Sequence, residues 1–235
     1  MTIYGPLESV VPVVFQSAAL AAGLLLTGGM LVRQKIAAGG VMPDEGITLR
    51  NIFEALVEFL DGLAVSVMGE HARDYMGLIC SLFFFILISN LMGLVPFLGG
   101  STSFVETAFT WAVISFSVYN YVGIRTHGWK YIYQFMGPAI WHAHIGGKEY
   151  HVRLMAPLFL PLELLLHVAR IATLTVRLVA NMFADHTVVA LWIGLVPPLV
   201  PAIFMGLGAL VAFLQAFVFS LLTMIYIGSA LEEAH

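Results

Sequence analysis

Charge is what this sequence has least of. Of its 235 residues only 10% are Asp, Glu, Lys or Arg, while 60% are hydrophobic. Soluble domains carry about 25% charged residues to cover their surface, so an ordinary soluble globule is excluded. A single cysteine, Cys80, rules out an internal disulfide and reads as a small packed hydrophobe. With a formal net charge of -4 there is no basic footprint for nucleic acid. No Gly-rich loop ends in Lys and Ser/Thr, and Gly39–Gly40 stands in no such context, so nucleotide binding is not expected. The N-terminal stretch carries Glu8 in place of a positive n-region, which argues for a retained first helix over a cleaved signal. Low-complexity tracts and internal repeats are also missing.

What the chain does have is long apolar runs, at about 11–32, 76–98, 104–124, 154–195 and 197–231. A membrane-crossing helix takes about 20 such residues. Charge clusters or Gly/Pro punctuation, such as Pro96 to Gly100 and Pro197, Pro198 and Pro201, bound each run. The expectation is an all-α polytopic membrane protein, one membrane domain over 1–235, with the last two runs forming a long hairpin. Between the first two runs, about 52–68, Ile52, Phe53, Leu56, Leu60, Leu63 and Val67 recur at helical spacing with Glu54, Glu58 and Asp61 opposite. That predicts an amphipathic helix packed at the interface or on a partner, and Asn51 with Glu54 resembles a capping box at its start.

Eight of the ten Lys and Arg residues fall in two places. Arg33, Lys35, Arg50 and Arg73 follow the first run, and Arg125, Lys130, Lys148 and Arg153 follow the third. The positive-inside rule puts both clusters in the cytoplasm, the N-terminus outside and the acidic end Glu232–Glu233 inside.

The other two arginines lie within the fourth run. At 100° per residue, Glu163, His167, Arg170, Arg177, Asn181 and Asp185 fall within about 40° of one line along a helix. The stripe is roughly 33 Å long, about the thickness of the hydrocarbon core. Each Arg or Asp near the bilayer centre costs about 2.5–3.5 kcal/mol, so such a stripe does not accumulate by accident. Glu163, His167 and Arg170 could neutralise one another as a buried ladder. Arg177 has no acid closer than Asp185 on its own helix, and it calls for a carboxylate from elsewhere. Intramembrane ionisable residues of this kind mark an ion pathway.

The stretch Arg177-Leu178-Val179-Ala180-Asn181-Met182-Phe183-Ala184, with Leu214-Gln215-Ala216-Phe217-Val218-Phe219-Ser220 on the last run, closely resembles subunit a of F-type ATP synthases. Asn90-Leu91-Met92-Gly93-Leu94-Val95-Pro96 looks like that family's motif closing its first hairpin helix, and Glu163 stands where its channel glutamate does. The resemblance covers residues from about 50 to 231. It implies a stator subunit with partners in a ring of c subunits and the peripheral stalk b subunits, and no cofactor; the lack of a targeting peptide and the basic residues placed inside fit a bacterial plasma membrane best, an organellar inner membrane being the alternative. It further implies that Arg177 faces the ring carboxylates, and that Glu163, Asn181, His186 and Gln215 line two offset half-channels or neighbour the arginine.

This chain departs from the family pattern in places. Asp185 stands where Gly is common, Gly208 where a polar residue is frequent, and Glu106 where Asn is common. His186 lies about 100° from Asp185 and reads either as a channel residue or as a packed helix histidine. Gln215 reads as a channel residue or as an interhelical hydrogen-bonding group. His142, His144 and His151, in an interfacial loop with Trp141 and no cysteine ligands, are not expected to bind metal. Rival readings are a self-contained secondary transporter, an intramembrane hydrolase and a purely structural membrane subunit. The first would show inverted repeats, the second a paired nucleophile and base, and the third would not keep Arg177 unpaired.

Overall fold

The computed structural model describes residues 12–39, 46, 48–95, 100–128, 141–145, 148–152, 156–195 and 199–231. Its helices are α1 (Val13–Gly39), α2 (Leu49–Met68), α3 (Ala72–Leu94), α4 (Val105–His127), α5 (Ala156–Leu195) and α6 (Leu199–Leu231). Short 3₁₀ turns at Gly69–His71 and Ser101–Ser103 lead into α3 and α4. Among the described residues, Val13–Ala37, Leu49–Leu94, Leu164–Trp192 and Val200–Leu231 are long and apolar enough to cross a membrane. The protein is an all-α polytopic membrane protein. α4 is not among those stretches; its Thr107, Ser115 and Tyr119 are buried.

α3 is the hub and packs on α1, α2 and α6, while α4 packs on α5 and α6. Its middle is Phe83-Phe84-Phe85-Ile86, buried on every side, as expected of a helix that is hydrophobic all round. Phe83 meets Phe213 of α6 edge-on at 5.9 Å, Phe84 stacks on Phe53 of α2 at 4.8 Å, and Phe85 lies 4.7 Å from Trp111 of α4. Such pairs add about 0.5–1.5 kcal/mol each beyond their burial.

α2 uses the face its spacing foretold. Leu60 is buried, and Phe53, Leu56, Leu63 and Val67 pack onto the core, although Ile52 is exposed. Its start differs from the expected capping box. Thr48 is the N-cap, its Oγ1 accepting from the Asn51 N–H at 3.3 Å. Glu54 instead accepts from Arg50 Nε at 2.7 Å. Arg50 is 1% exposed, so one of the basic residues counted as a loop charge is a buried, paired side chain.

The connection from α4 to α5 is also more regular than an interfacial loop. It holds an antiparallel ribbon of β1 (Trp141–Ile145) and β2 (Lys148–Val152), with His142 opposite His151 and His144 opposite Glu149.

Candidate functional site

α5 and α6 form the long hairpin that carries the stripe. Two contacts fix their mutual register. Trp192 stacks on Phe204 at 5.5 Å near the hairpin tip. Toward the open end, the Arg170 guanidinium sits 4.8 Å from the Tyr226 ring centroid. These pairs are equally spaced on the two helices, so the residues midway between them, Asn181 on α5 and Gln215 on α6, fall at one level. Arg177 is one turn further along α5. The hairpin thus brings two candidates from distant parts of the sequence to one level, one turn from the arginine.

The hairpin is half packed and half bare. On α5, Leu174, Leu178, Met182 and Val189 are buried against the bundle, while Val176, Phe183 and Leu191 are exposed. On α6, Ala212, Ala216 and Phe219 are buried and Ile203, Leu207, Leu210 and Leu214 exposed. Phe183 is 71% exposed. Arg177 and Gln215 stand on the shoulders between these two faces, both partly buried.

The stripe divides into parts with different surroundings. His167 is buried, its ring 5.8 Å from Tyr119 and 6.1 Å from Phe116 of α4. Arg170 lies over Tyr226 and 5.9 Å from the Tyr119 ring. A guanidinium over aromatic faces is held by the ring quadrupoles, so Arg170 is fixed between α4 and α6. The side chain of Glu163 lies outside the described residues, and with it the proposed ladder to His167 and Arg170. Arg177 has no ion-pair or hydrogen-bond partner among the described residues. Gln215 Oε1 is buried and likewise makes no hydrogen bond among them.

Further toward the tip, Asp185 is partly exposed beside His186. His186 Nε2 lies 2.6 Å from the carbonyl oxygen of Gly93, in the last turn of α3. A carbonyl only accepts, so Nε2 carries the proton and Nδ1 is the nitrogen left to take another. His186 is thus packed against α3 and also lines a partly open cavity of about 430 Å³. Ser103, Val105, Thr175, Val179 and Phe183 form other walls of that cavity. Glu106, in the first turn of α4, is exposed.

Behind this cavity the chain packs too closely for side chains. A Cβ on Gly93 would come within 2.1 Å of Met182 Cε and 3.1 Å of His186 Nε2. One on Gly100 would meet the Ser89 carbonyl oxygen at 2.4 Å, and one on Gly208 would meet Leu94 Cδ2 at 2.5 Å. Gly208 thus admits Leu94, which accounts for the missing polar side chain there. A buried polar network ties the same region. Ser89 Oγ lies 2.5 Å from Ser101 Oγ, Thr102 Oγ1 donates to Asn90 Oδ1 at 2.6 Å, and Asn90 Nδ2 donates to the Ala212 carbonyl at 3.4 Å. Sequence reasoning flagged Asn90 as shaping a helix end but missed Ser89, Ser101 and Thr102, whose hydroxyls look like ordinary loop residues. Tyr119 was missed too, its aromatic ring being unremarkable in an apolar run. Among the residues whose side chains are described, no group of three or more His, Cys, Asp or Glu could hold a metal ion.

Fold and site together define a class: a polytopic membrane protein whose longest hairpin carries ionisable side chains along its length. The family model of the ATP synthase A chain matches residues 16–228. ATP synthase subunit a of Geotalea uraniireducens is 38% identical over 217 residues, covering 92% of this chain and 89% of the relative. That of Bdellovibrio bacteriovorus is 38% identical over 210 residues, 88% and 86% of the two chains. That of Trichlorobacter lovleyi is 41% identical over 187 residues, 80% and 76% of the two chains. This chain belongs to the ATP synthase subunit a family, the membrane-sector component that serves ion transport in ATP synthesis.

Proposed function

We propose that this chain is the stator of a rotary proton motor, in which Arg177 faces the membrane-buried carboxylates of a c-subunit ring. The observation that carries the reading is the setting of Arg177. It stands partly buried, without a partner among the described residues, at the edge of an apolar hairpin face that the other described residues leave exposed. A buried cation in that setting requires a carboxylate from another subunit. At about 4 Å and an effective dielectric of 20, the attraction is about 4 kcal/mol, enough to strip the proton from a carboxyl group arriving from lipid. The guanidinium stays protonated and cannot pass the proton on, so it keeps two half-channels apart. Each charge crossing the membrane potential supplies about 2.3 kcal/mol per 100 mV to turn the ring.

In this reading Asp185 and the free Nδ1 of His186 relay protons at the cavity end of the hairpin. Glu163 serves the opposite end, with Asn181 and Gln215 as polar steps beside Arg177. Arg170 and His167 hold the hairpin against α4. The chain has no catalytic site of its own and sits in a bacterial plasma membrane as one membrane domain, N-terminus outside and C-terminus inside, with the peripheral stalk holding it still. A secondary transporter would work without a ring, so cross-linking separates the two readings. Cysteines placed at Phe183 and Leu210, on the bare face, should form adducts with ring subunits in native membranes, and one at Leu31 of α1 should not. Failure of both face positions to reach the ring would overturn the proposal.

A further inference from the structure

The turn from α2 into α3 carries Glu70, His71, Arg73 and Asp74, all exposed. Residues three apart in such a turn stand one above the other, close enough to pair. His71 and Asp74 do so, with Nδ1 4.0 Å from Oδ2. Glu70 and Arg73 have the same spacing and opposite charge, yet neither has a partner among the described residues. Both instead line an open cavity of about 430 Å³, together with Val65 and Gly69. Gly69 has a φ of 62°, a conformation that favours glycine, and its missing side chain leaves that wall open. The volume falls within the range of about 300–1,000 Å³ found for small-ligand sites.

α3 is 23 residues long and rises roughly 34 Å, slightly more than the hydrocarbon core of about 30 Å. Arg73, in its first turn, therefore lies at the level of the lipid headgroups. We propose that the cavity binds the headgroup of a zwitterionic phospholipid with a primary amine, phosphatidylethanolamine. Arg73 takes the phosphate, because a guanidinium presents paired donors that match phosphate oxygens. Glu70 takes the ammonium, whose N–H groups donate to the carboxylate. Phosphate and amine are two carbons apart in the lipid, which suits side chains about 5–6 Å apart at Cβ. Val65, 46% exposed, offers an apolar wall where the acyl chains begin. An anionic lipid meets repulsion from Glu70, and a choline headgroup has no N–H to donate, so both are poorer ligands. The site needs only that α3 crosses the membrane, and it is independent of the rotary reading.

The test is photolabelling of the purified complex in phosphatidylcholine vesicles that hold a trace of phosphatidylethanolamine with a photoreactive acyl chain. Adducts are mapped by mass spectrometry of this chain's peptides. The expected result is saturable labelling at the turn between α2 and α3, removed by excess unlabelled phosphatidylethanolamine. Phosphatidylglycerol and inorganic phosphate at the same concentration should not remove it. Arg73→Gln and Glu70→Gln should each lower labelling by about tenfold, as the loss of one charge-assisted hydrogen bond implies. Glu70→Gln should in addition let phosphatidylglycerol compete, a change of preference that a merely structural glutamate would not produce. Arg33→Gln, at an exposed arginine of α1, should leave labelling unchanged. Absence of saturable labelling at this turn in the wild-type complex, which needs no variant to fold, overturns the proposal. So does equal competition by phosphatidylglycerol or by phosphate in the wild type, or wild-type labelling in Arg73→Gln.

Discussion

Arg170 and Tyr226 lie face to face across the hairpin, guanidinium carbon to ring centroid 4.8 Å, whereas Arg177, two turns on along the same line of α5, has no such partner among the described residues. Two arginines seven residues apart on one helix face thus have different surroundings, one held over an aromatic ring and one without such a contact among the described residues.

That division predicts a split between stability and coupling. A desolvated cation–π contact is worth about 2 kcal/mol. Arg170→Ala should therefore lower the melting temperature and yield of the assembled complex, and Tyr226→Phe, which keeps the ring, should restore neither loss nor add one. Thermal unfolding of the purified complex checks this. Equal melting temperatures for wild type and Arg170→Ala would count against the clamp.

The stripe itself was legible because a period of 3.6 shows in a single sequence whenever charged residues stand out against apolar ones. What each member touches was not, because Arg170 and Arg177 differ by only about 20° on a helical wheel. The distinction comes from α6, whose antiparallel register brings Tyr226 to the level of Arg170. The start of α2 shows a similar limit. Asn51 and Glu54 have capping-box spacing, but Thr48 caps the helix and Glu54 pairs with buried Arg50, a competition that spacing cannot rank. The β-ribbon was not read at all, since its strands are only five residues each.

Close packing at the end of α3 gives an ordering among glycines. Gly100→Ala would drive a Cβ into the Ser89 backbone oxygen, which cannot swing aside, while Gly208→Ala would press on the tip of Leu94, which can. Overpacking typically costs about 1–3 kcal/mol. Gly100→Ala should reduce the amount of assembled complex clearly more than Gly208→Ala, as read by immunoblots of membranes. The reverse order would contradict the packing.

The buried network makes Asn90 a joint between α3, the 3₁₀ turn and α6. Asn90→Leu leaves the Thr102 hydroxyl and the Ala212 carbonyl without this partner, a loss of about 1–3 kcal/mol per buried group. Thermal unfolding should show a lower midpoint for Asn90→Leu, and Asn90→Leu combined with Thr102→Val should recover part of it. No recovery in the double variant would mean the two side chains act apart.

Gln215 Oε1, buried and without a hydrogen bond among the described residues, separates two roles for that side chain. A structural amide would weaken the fold when lost, but replacing an unsatisfied polar group by an apolar one of similar shape is close to neutral. Gln215→Leu should assemble normally and pump protons poorly. Poor assembly with normal pumping per complex would assign it to packing instead.

The most direct measurement of the central claim is ATP-driven acidification of inverted membrane vesicles carrying Arg177→Ala, with immunoblots to confirm that the complex is present. The account predicts normal assembly and complete loss of pumping, because nothing else at that level of the hairpin offers a permanent positive charge to the ring. Pumping at the wild-type rate in assembled complexes would contradict it, and would return the whole stripe to a structural role.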